Sequence, residues 1–247
     1  MEDTNEYPEC VKKFKTTIPR NLRNFKKPEE LPTPEEIKKL FNVSDEMEAC
    51  LLSLFIEVGP RKAELLSIKL KNVVFDEYGA KISIEESKTD KRNIRVIDSV
   101  PYLKNWINKH PYPDNKENYL FISRRRGMRW AQLSSAGAYE IIQALKRKAK
   151  IQKQIYPHLL RTYAITNMAK HDMPAEAIEK QVGWVQGSGM REIYVRLSNK
   201  DIDDMILENK GIKKTDVKKK NILEPKRCFD PSCNHLNPIT AKFCEKC

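Results

Sequence analysis

The sequence predicts a mainly α fold of the α+β class, with a small three-stranded antiparallel sheet and a small C-terminal segment organised by a metal ion. Three observations lead to this prediction. Apolar residues recur at helical spacing through most of the 247 residues. Three β-like runs, separated by turn residues, occur together between residues 70 and 98. Four of the six cysteines lie in the last 20 residues.

The N-terminal part combines a basic lead-in with a well-marked helix start. Residues 1–32 are polar and basic, and their prolines argue against one long helix. Thr33 then offers an N-cap, Pro34 suits the first helical turn, and Glu36 occupies the capping-box position. We therefore expect a linker over residues 1–32 and a folded domain that begins at residue 33.

The next segment is predicted to form two helices and the sheet. A helix after Ser44 carries an apolar face, and Gly59-Pro60 ends it and starts a short helix with Arg61 in its first turn. Turn residues separate the three β-like runs, so an antiparallel meander is expected, with Lys88 in its second turn. The predicted strands cover residues 70–75, 80–86 and 92–98.

Helices dominate the remainder of the predicted domain. Helical spacing and helix-start signals predict helices over residues 100–110, 134–150, 157–170, 174–182, 190–197 and 201–210, the last closed by Gly211. The resulting parts of the chain are a helical domain over residues 33–211, a basic linker over 212–226 and a cysteine-rich segment over 227–247.

The charge distribution indicates a polyanionic partner. Lys and Arg number 46 against 34 Asp and Glu, which gives a net charge of +12. A single basic run is as readily a solvated face, but four runs of one sign favour contacts with nucleic acid phosphates. These runs are residues 12–27, 124–129, 146–153 and 213–227. No apolar run has the length of a membrane span and the first residues lack the order of a signal peptide, so we expect a cytoplasmic, nucleoid-associated protein that uses no membrane.

Two arginines and their neighbours form a candidate site for a phosphoryl group. His158 and Arg161 are three residues apart and share one face of a helix that starts at Pro157. Arginine offers forked donors to phosphate oxygens, and His158 and the indole N–H of Trp184 can donate to the same oxygens. Arg61 and Arg161 are both expected in the first turns of their helices, where the positive helix end adds to an anion site. The set is completed by Arg61, Lys88 and Tyr194.

Tyr194 is the candidate nucleophile of this site. A phenol has a pKa of about 10 and needs a nearby base, or cations that favour the phenolate. Lys88, on a hairpin tip, could hand a proton to the leaving alkoxide. This chemistry requires no catalytic metal or cofactor. Tyr163 lies in an apolar run and is interpreted as packing, whereas Tyr194 follows the glycine-containing stretch at 186–189 and is expected to be displaced from the phosphate site without DNA.

These residues resemble the sequence boxes of the tyrosine recombinases, or integrases, of phages and of bacterial and archaeal elements. The resemblance covers residues 33–209, and five motifs occur in the family's order and at its spacing. GPRKAELLSIKLKNV looks like the first-arginine box, with Glu64 as the acidic residue that supports it, and HLLR matches the H-x-x-R box. The positions that match the family's catalytic residues are Arg61, Lys88, His158, Arg161, Trp184 and Tyr194.

The resemblance implies an activity and a set of partners. It implies cleavage of one strand of duplex DNA through a 3′-phosphotyrosyl link with a free 5′-hydroxyl, followed by strand exchange in a homotetramer that assembles on DNA from monomers. Two features depart from the family pattern. Thr162 and Tyr163 stand where His and then Ser or Thr are frequent. Residues 1–32 resemble only the exit linker of the helical domain that usually precedes the catalytic domain.

Two other classes of protein fit the same residues. A type IB topoisomerase-like enzyme would share the phosphotyrosine chemistry but rejoin the same strand. A non-catalytic DNA-binding regulator would use the site only to grip phosphate. In each case an arginine-rich loop is expected to contact DNA phosphates through Arg124, Arg125, Arg126 and Arg129.

The cysteine pattern predicts a structural metal site. Cys228-x4-Cys233 and Cys244-x2-Cys247 are pairs at short spacing, which is how four thiolates surround a tetrahedral Zn²⁺. The segment resembles a zinc ribbon and is too small to fold around an apolar core of its own. Four thiolates leave no open position, so the zinc is expected to be structural. Two disulfides, free thiols and a rubredoxin-like iron are the alternatives, and His235 is interpreted as a bystander.

Overall fold

The computed structural model contains a helical body with a three-stranded sheet and a C-terminal hairpin, as the sequence predicts. It describes residues 28–85, 91–125, 127, 131–171, 173–184, 207, 210–212, 222–230, 232–233, 235–244 and 246–247. The elements within these ranges are α1 (Pro34–Asn42), α2 (Glu46–Glu57), α3 (Lys62–Leu66), β1 (Val73–Asp76), β2 (Gly79–Ile84), β3 (Arg92–Val96), α4 (Val100–Lys109), α5 (Ser135–Lys148), α6 (Pro157–Lys170), α7 (Ala175–Val182), β4 (Lys226–Arg227) and β5 (Leu236–Asn237).

The first two helices start where the sequence places capping residues. At α1 the N–H of Glu36 donates to Thr33 Oγ1 at 3.2 Å, and the N–H of Thr33 donates to Glu36 Oε2 at 2.8 Å. Asp45 and Glu48 form the same reciprocal box at α2, with both bonds at 3.0 Å. An N-cap of this type is worth about 1 kcal/mol. Local chemistry therefore fixes both helix starts.

The sheet has the order β1-β2-β3, and both pairs of neighbours are antiparallel. Ile82 is the central residue, paired with Val73 on one side and with Ile94 on the other. The first predicted strand begins too early, because Leu70–Asn72 form a 3-10 turn in which the N–H of Leu70 donates to the carbonyl of Asn118. The strand residues that belong to the main core are Ala80, Ile82, Ile84, Ile94 and Val96.

Helix α2 lies at the centre of the domain and supports the site. Most of its residues are buried, and it packs against α4 and α6. A second, smaller apolar cluster joins α6 to α7, and each aliphatic side chain buried in this way contributes about 1.5–3 kcal/mol. The members of this cluster are Ala164, Ile165, Met168, Ile178 and Val182. The end of α2, the start of α6 and the end of α7 are consequently held close together.

The C-terminal segment contacts the helical domain. Leu223, within the predicted linker, is 1% exposed and belongs to the main core, and Ile222 packs beside it. β4 and β5 form a hairpin, and the turn that follows β5 carries Ile239, which packs against the core. The N–H of Ile239 donates to Tyr102 Oη at 3.3 Å. The segment is therefore linked to α4 by both apolar and polar contacts.

The last predicted helices lie largely outside the described residues. This holds for residues 190–197 and for most of 201–210. Leu207 is helical, and its carbonyl accepts the N–H of Ile212 at 3.0 Å beside Gly211, whose φ is +69°. A glycine of positive φ at this place is typical of a helix end. In the part of the chain that the structure covers, no helix has the length and apolar character needed to cross a bilayer.

Candidate active site

An open cleft of about 490 Å³ lies where the starts of α3 and α6 meet Trp184, which follows the C-cap glycine of α7. Four residues that the sequence predicts to act together, although they come from three separate segments, line this cleft. The complete lining is Pro60, Arg61, Lys62, Tyr139, Tyr156, Pro157, His158, Arg161 and Trp184. The fold thus gathers the two arginines, the histidine and the indole of the candidate site.

Arg161 is fixed by backbone carbonyls from two other segments. Its Nη1 donates to the carbonyl of Gly59 at 2.5 Å, and its Nη2 donates to the carbonyl of Val182 at 3.0 Å. The guanidinium carbon lies 5.8 Å from the centre of the Trp184 ring, and the residue is 6% exposed. Because α6 begins at Pro157, Arg161 lies in the second turn, and the expectation of a first-turn position is wrong.

Arg61 is anchored by a buried carboxylate. Its Nη1 donates to Glu64 Oε1 at 2.7 Å, and its backbone N–H donates to Glu64 Oε2 at 3.0 Å. The Arg61 side chain is 29% exposed at the cleft, whereas that of Glu64 is 2% exposed. Arg61 is the N-cap residue of α3, because its backbone is extended and the helix starts at Lys62, so the predicted first-turn position is wrong by one residue. Glu64 thus binds both the side chain and the backbone of Arg61, as a residue that supports Arg61 is expected to do.

Arg92, at the start of β3, binds the same carboxylate and was not predicted as a site residue. Its Nη2 donates to Glu64 Oε2 at 2.9 Å, and its Nη1 donates to Oε1 at 3.3 Å. Its Nε donates to the carbonyl of Gln181 at 3.4 Å. The only signal in the sequence is a charged residue at the first position of a predicted strand. Glu64 is 28 residues away along the chain, so no local pattern links the two.

Two glycines permit the close approaches around these arginines. Gly183 ends α7 with φ +72°, and a Cβ there would lie 2.5 Å from the guanidinium carbon of Arg92. Gly59 has φ +61°, and its Cβ would lie 3.0 Å from that of Ala164. Any larger residue would displace an arginine or separate α6 from the α2–α3 connection.

His158 lies in the first turn of α6, as predicted, and its ring is neutral at pH 7. Partial burial, together with the positive charge of Arg161, holds the pKa of His158 below its ordinary value. Thr162, which stands where the family often has histidine, is buried, and its hydroxyl donates to the His158 carbonyl at 3.0 Å. The Thr162 hydroxyl therefore bonds to the preceding turn of α6, and Thr162 supplies no ring nitrogen to the cleft.

Other tyrosines bear on the choice of nucleophile, one packed against the core and two in the cleft. Tyr163 packs against the core, as its interpretation as a packing residue requires, and burial raises the pKa of its phenol to about 12. Tyr139 and Tyr156 line the cleft. Tyr139 was not singled out in the sequence, because residues of α5 carry none of the recognised motifs.

Several predicted residues lie outside the described residues. Lys88 belongs to residues 86–90, between β2 and β3, and Tyr194 belongs to residues 185–206. The expectation that Tyr194 is displaced without DNA therefore stays a prediction. In the arginine-rich loop, the same applies to Arg126 and Arg129.

Arg124 and Arg125, the described arginines of that loop, both contact acidic residues. Arg124 pairs with Asp45, with Nη2 3.2 Å from Oδ1, and lies 5.8 Å from the ring centre of Trp106. Arg125 pairs with Glu140. All four charged side chains of these pairs are at least 37% exposed, and exposed pairs of this kind are worth about 0–1 kcal/mol. Such weak pairing leaves both arginines able to exchange a carboxylate for a phosphate.

The four C-terminal cysteines form a group that could hold a metal ion. Their sulfurs all lie within 4.8 Å of one another, with Cys228 3.5 Å from Cys247 and Cys233 3.7 Å from Cys244. A tetrahedral Zn²⁺ with bonds of about 2.3 Å places its sulfurs about 3.8 Å apart, whereas a disulfide bond is about 2.05 Å long. Backbone N–H groups, including that of Lys246, lower the pKa of Cys244 to about 6, whereas hydrogen bonds with the neighbouring sulfurs raise the pKa of Cys247 to about 12. The spacing therefore fits metal coordination.

The helical fold and the arginine-lined cleft define a class of protein in which side chains from separate segments converge on one site. The family model described as the phage integrase family matches residues 31–201, which is more than half of the chain, and the chain belongs to this family. A tyrosine recombinase of Pseudothermotoga lettingae is 24% identical over 152 residues, which cover 61% of this chain and 50% of that protein. The tyrosine recombinase XerS of Streptococcus agalactiae is 22% identical over 162 residues, 64% of this chain and 44% of XerS.

Solved structures show the same fold. XerA recombinase gives a TM-score of 0.58 at 21% identity, with 74% of this chain and 65% of XerA covered. The Tn1549 transposon integrase in complex with a circular intermediate DNA gives 0.61 at 17% identity, with 77% and 68% covered. The chain spans about half the length of the curated relatives it matches.

Proposed function

We propose that this chain is a site-specific DNA recombinase or integrase, which cleaves and rejoins strands of duplex DNA through a 3′-phosphotyrosyl intermediate. The observation that carries the proposal is the convergence of Arg61, His158, Arg161 and Trp184 on one open cleft. Two guanidinium groups beside a neutral imidazole and an indole N–H supply donors for the non-bridging oxygens of one phosphate. Membership of the phage integrase family supports the same reading.

The proposed first step breaks one P–O bond and forms another. Tyr194 loses its phenolic proton, and its oxygen attacks the phosphorus while the bond to the 5′ oxygen breaks. Lys88 gives a proton to this leaving oxygen and generates the 5′-hydroxyl. The indole of Trp184 can only donate, so His158, which is neutral at pH 7, is the cleft residue that can accept the phenolic proton. Arg61 and Arg161 stabilise the added charge.

Strand exchange is the reverse of this step with a different hydroxyl. A 5′-hydroxyl from a second duplex attacks the phosphotyrosine, Lys88 takes its proton, and the phenol of Tyr194 regains one. The phosphotyrosine conserves the energy of the broken bond, and the fixed arginines supply the positive charge that a metal would otherwise provide. The reaction is therefore proposed to need no divalent cation, and a homotetramer assembled on DNA, at the nucleoid, is the proposed working form.

Zn²⁺ is the proposed ion of the four-cysteine site, with a purely structural role. The donor set of four thiolates suits zinc and leaves no position for a substrate. Cys228, Cys233, Cys244 and Cys247 would hold the ion and so connect the β4–β5 hairpin to the end of the chain. One equivalent of zinc per chain, measured by metal analysis of the purified protein, is the expected result.

The decisive experiment traps the covalent intermediate. The 247-residue chain is incubated, without Mg²⁺, with nicked duplex suicide substrates made from genomic fragments, and adducts are resolved on denaturing gels and sequenced. We expect adducts with the wild type and with Tyr163→Phe, and none with Tyr194→Phe. Adducts that persist in Tyr194→Phe would exclude this nucleophile. A wild type that binds DNA but forms no adduct would identify a regulator, and relaxation without exchange between two sites would identify a topoisomerase-like enzyme.

A further inference from the structure

We propose that Arg92 is a positioning residue of the cleft, which sets the orientation of Arg61 through the carboxylate of Glu64. The inference deepens the proposed strand-transfer function and rests on it. Arg92 lies on β3, and its side chain is 12% exposed. It therefore acts from within the structure, through Glu64, and does not itself contact the DNA phosphate.

The first argument is the distribution of charge around Glu64. This carboxylate is buried, so both of its oxygens need donors. Arg92 reaches both oxygens, while Arg61 contacts Oε1 through Nη1 and Oε2 through its backbone N–H. Among the described residues, loss of Arg92 would leave the guanidinium of Arg61 as the cation bound to this carboxylate, and a stronger hold by Glu64 would draw that guanidinium away from the cleft. Two arginines on one carboxylate also leave a net positive charge beside the cleft.

The second argument is the place of Arg92 in the fold. Its Nε donates to the carbonyl of Gln181, and its guanidinium lies against the backbone of Gly183, directly before Trp184. Gln181 in turn donates from its side chain to the carbonyl of Arg95, also on β3, at 2.9 Å. The strand that follows the Lys88 turn is thus fixed to the end of α7. Arg92 connects the segments that carry Arg61, Lys88 and Trp184.

A matched pair of variants separates positioning from charge. Arg92→Lys keeps the positive charge, but an ammonium cannot bond both carboxylate oxygens and the Gln181 carbonyl in a planar fork. Arg95→Lys is the control, because Arg95 lies on the same strand and pairs with Asp76 at 2.6 Å, with both side chains about one third exposed. Both substitutions replace a guanidinium by an ammonium on the same strand. They differ in the carboxylate that is affected, which is Glu64 beside the cleft for Arg92 and Asp76 for Arg95.

The test compares the rate of covalent adduct formation at saturating nicked DNA with the affinity for that DNA, measured by fluorescence anisotropy. We expect Arg92→Lys to lower the rate by about 10- to 100-fold, because a displacement of about 1 Å in a catalytic group has effects of this size. The dissociation constant should change by less than about threefold, as should both quantities in Arg95→Lys. Circular dichroism at the assay temperature verifies that each variant is folded. Equal rates in the two variants would overturn the proposal.

A second readout does not depend on DNA cleavage. Binding of inorganic phosphate to the DNA-free protein, followed by ³¹P NMR, reports on the arginines of the cleft directly. Arg92→Lys should weaken this binding several-fold relative to the wild type and to Arg95→Lys. If the wild type forms no adduct, the recombinase proposal fails and the phosphate titration decides the role of Arg92. Equal phosphate affinities of the two variants would then exclude it.

Discussion

The two arginines of the cleft, Arg61 and Arg161, are each held in place by the protein before any ligand binds. Arg161 donates to two backbone carbonyls from different segments, and Arg61 shares a buried carboxylate with Arg92. Donors that are fixed in advance need little reorganisation when charge develops on a phosphate, which is the main source of electrostatic catalysis. A guanidinium suits this place, because its forked donors reach two carbonyls in fixed directions while its central carbon lies 5.8 Å from the centre of the Trp184 ring.

Arg161→Lys should therefore lower the rate of adduct formation by about 100-fold or more, the usual effect of removing one fixed donor from a transition state. The lysine loses one of the two carbonyl contacts and the forked geometry that holds the positive group beside the indole. Single-turnover kinetics at saturating nicked DNA measures the effect. Arg95→Lys is the control, since Arg95 does not line the cleft and pairs with Asp76, with both side chains about one third exposed. A rate for Arg161→Lys within a factor of three of this control would contradict the assigned role.

The pKa of His158 gives the reaction a predicted pH dependence. The pKa lies below the ordinary value for histidine, because of partial burial and then the charge of Arg161, so the neutral ring that the proposed mechanism uses as proton acceptor is favoured at pH 7. We expect the rate to be constant above about pH 6.5 and to fall as His158 becomes protonated at lower pH. A pH–rate profile of the wild type and of His158→Gln measures this. The variant should be slower and should lack this acid limb.

The same shift has a consequence for stability. The unfolded chain binds a proton on this histidine at about pH 6.5, whereas the folded protein resists protonation until a lower pH. The unfolded state thus binds more protons in this window, and the free energy of unfolding falls as the pH is lowered from about 6.5 through the folded pKa. His110, whose pKa is lowered mainly by burial, acts in the same direction. Urea unfolding of His158→Gln should show a weaker dependence on pH in this window than the wild type.

At the scale of elements, the C-terminus of α7 is the most constrained part of the site. Its last carbonyl, that of Val182, binds Arg161, and the following Gly183 lies against Arg92. The left-handed backbone of Gly183 turns the chain so that Trp184 reaches the cleft. One helix end therefore positions two cleft side chains, Arg161 and Trp184, and also contacts Arg92 beside the cleft. Its glycine is required for two separate physical reasons.

Gly183→Ala should destabilise the protein more than Gly211→Ala. Both glycines have φ near +70°, so both substitutions carry the left-handed cost of about 1–2 kcal/mol. At Gly183 the new Cβ would also lie 2.5 Å from the Arg92 guanidinium, whereas at Gly211 no atom of the described residues lies within 4 Å. Urea unfolding monitored by circular dichroism gives both free energies, and we expect Gly183→Ala to lose at least about 1 kcal/mol more. Equal losses would mean that Arg92 moves aside without cost.

The elements also show which features a sequence can predict. The capping box of Thr33 and Glu36 and the glycine end of α7 depend on neighbours along the chain, and both are present in the structure. The bond between Glu64 and Arg92, and the contact of Arg92 with Gly183, depend on how β3 meets α3 and α7. Only packing determines such contacts. Motif spacing predicted four residues that line one cleft in the structure. It gave no indication of Arg92, the residue proposed to orient Arg61.

At the scale of the whole molecule, the C-terminal segment is part of the domain's packing. Leu223 lies in the main core, and Ile239 contacts Tyr102 of α4, although the four sulfurs lie outside that core. A segment of this size gains little from apolar burial alone, so a bound ion would fix the hairpin that presents Ile239. Since ligand binding to the folded state alone stabilises that state, metal binding is expected to stabilise the helical domain as well.

Removal of the metal should therefore lower the midpoint of thermal unfolding of the entire protein. A coupling of about 2 kcal/mol corresponds to a decrease of about 4–8 °C for a chain of this size. Scanning calorimetry of the zinc-loaded protein, with and without a chelator, measures the decrease, and zinc release is followed with a colorimetric indicator. Cys247→Ser should reproduce the effect of the chelator, and Cys10→Ser, which lies outside the cysteine group, should not. An unchanged midpoint after complete release of zinc would show that the contacts of Leu223 and Ile239 do not depend on the metal.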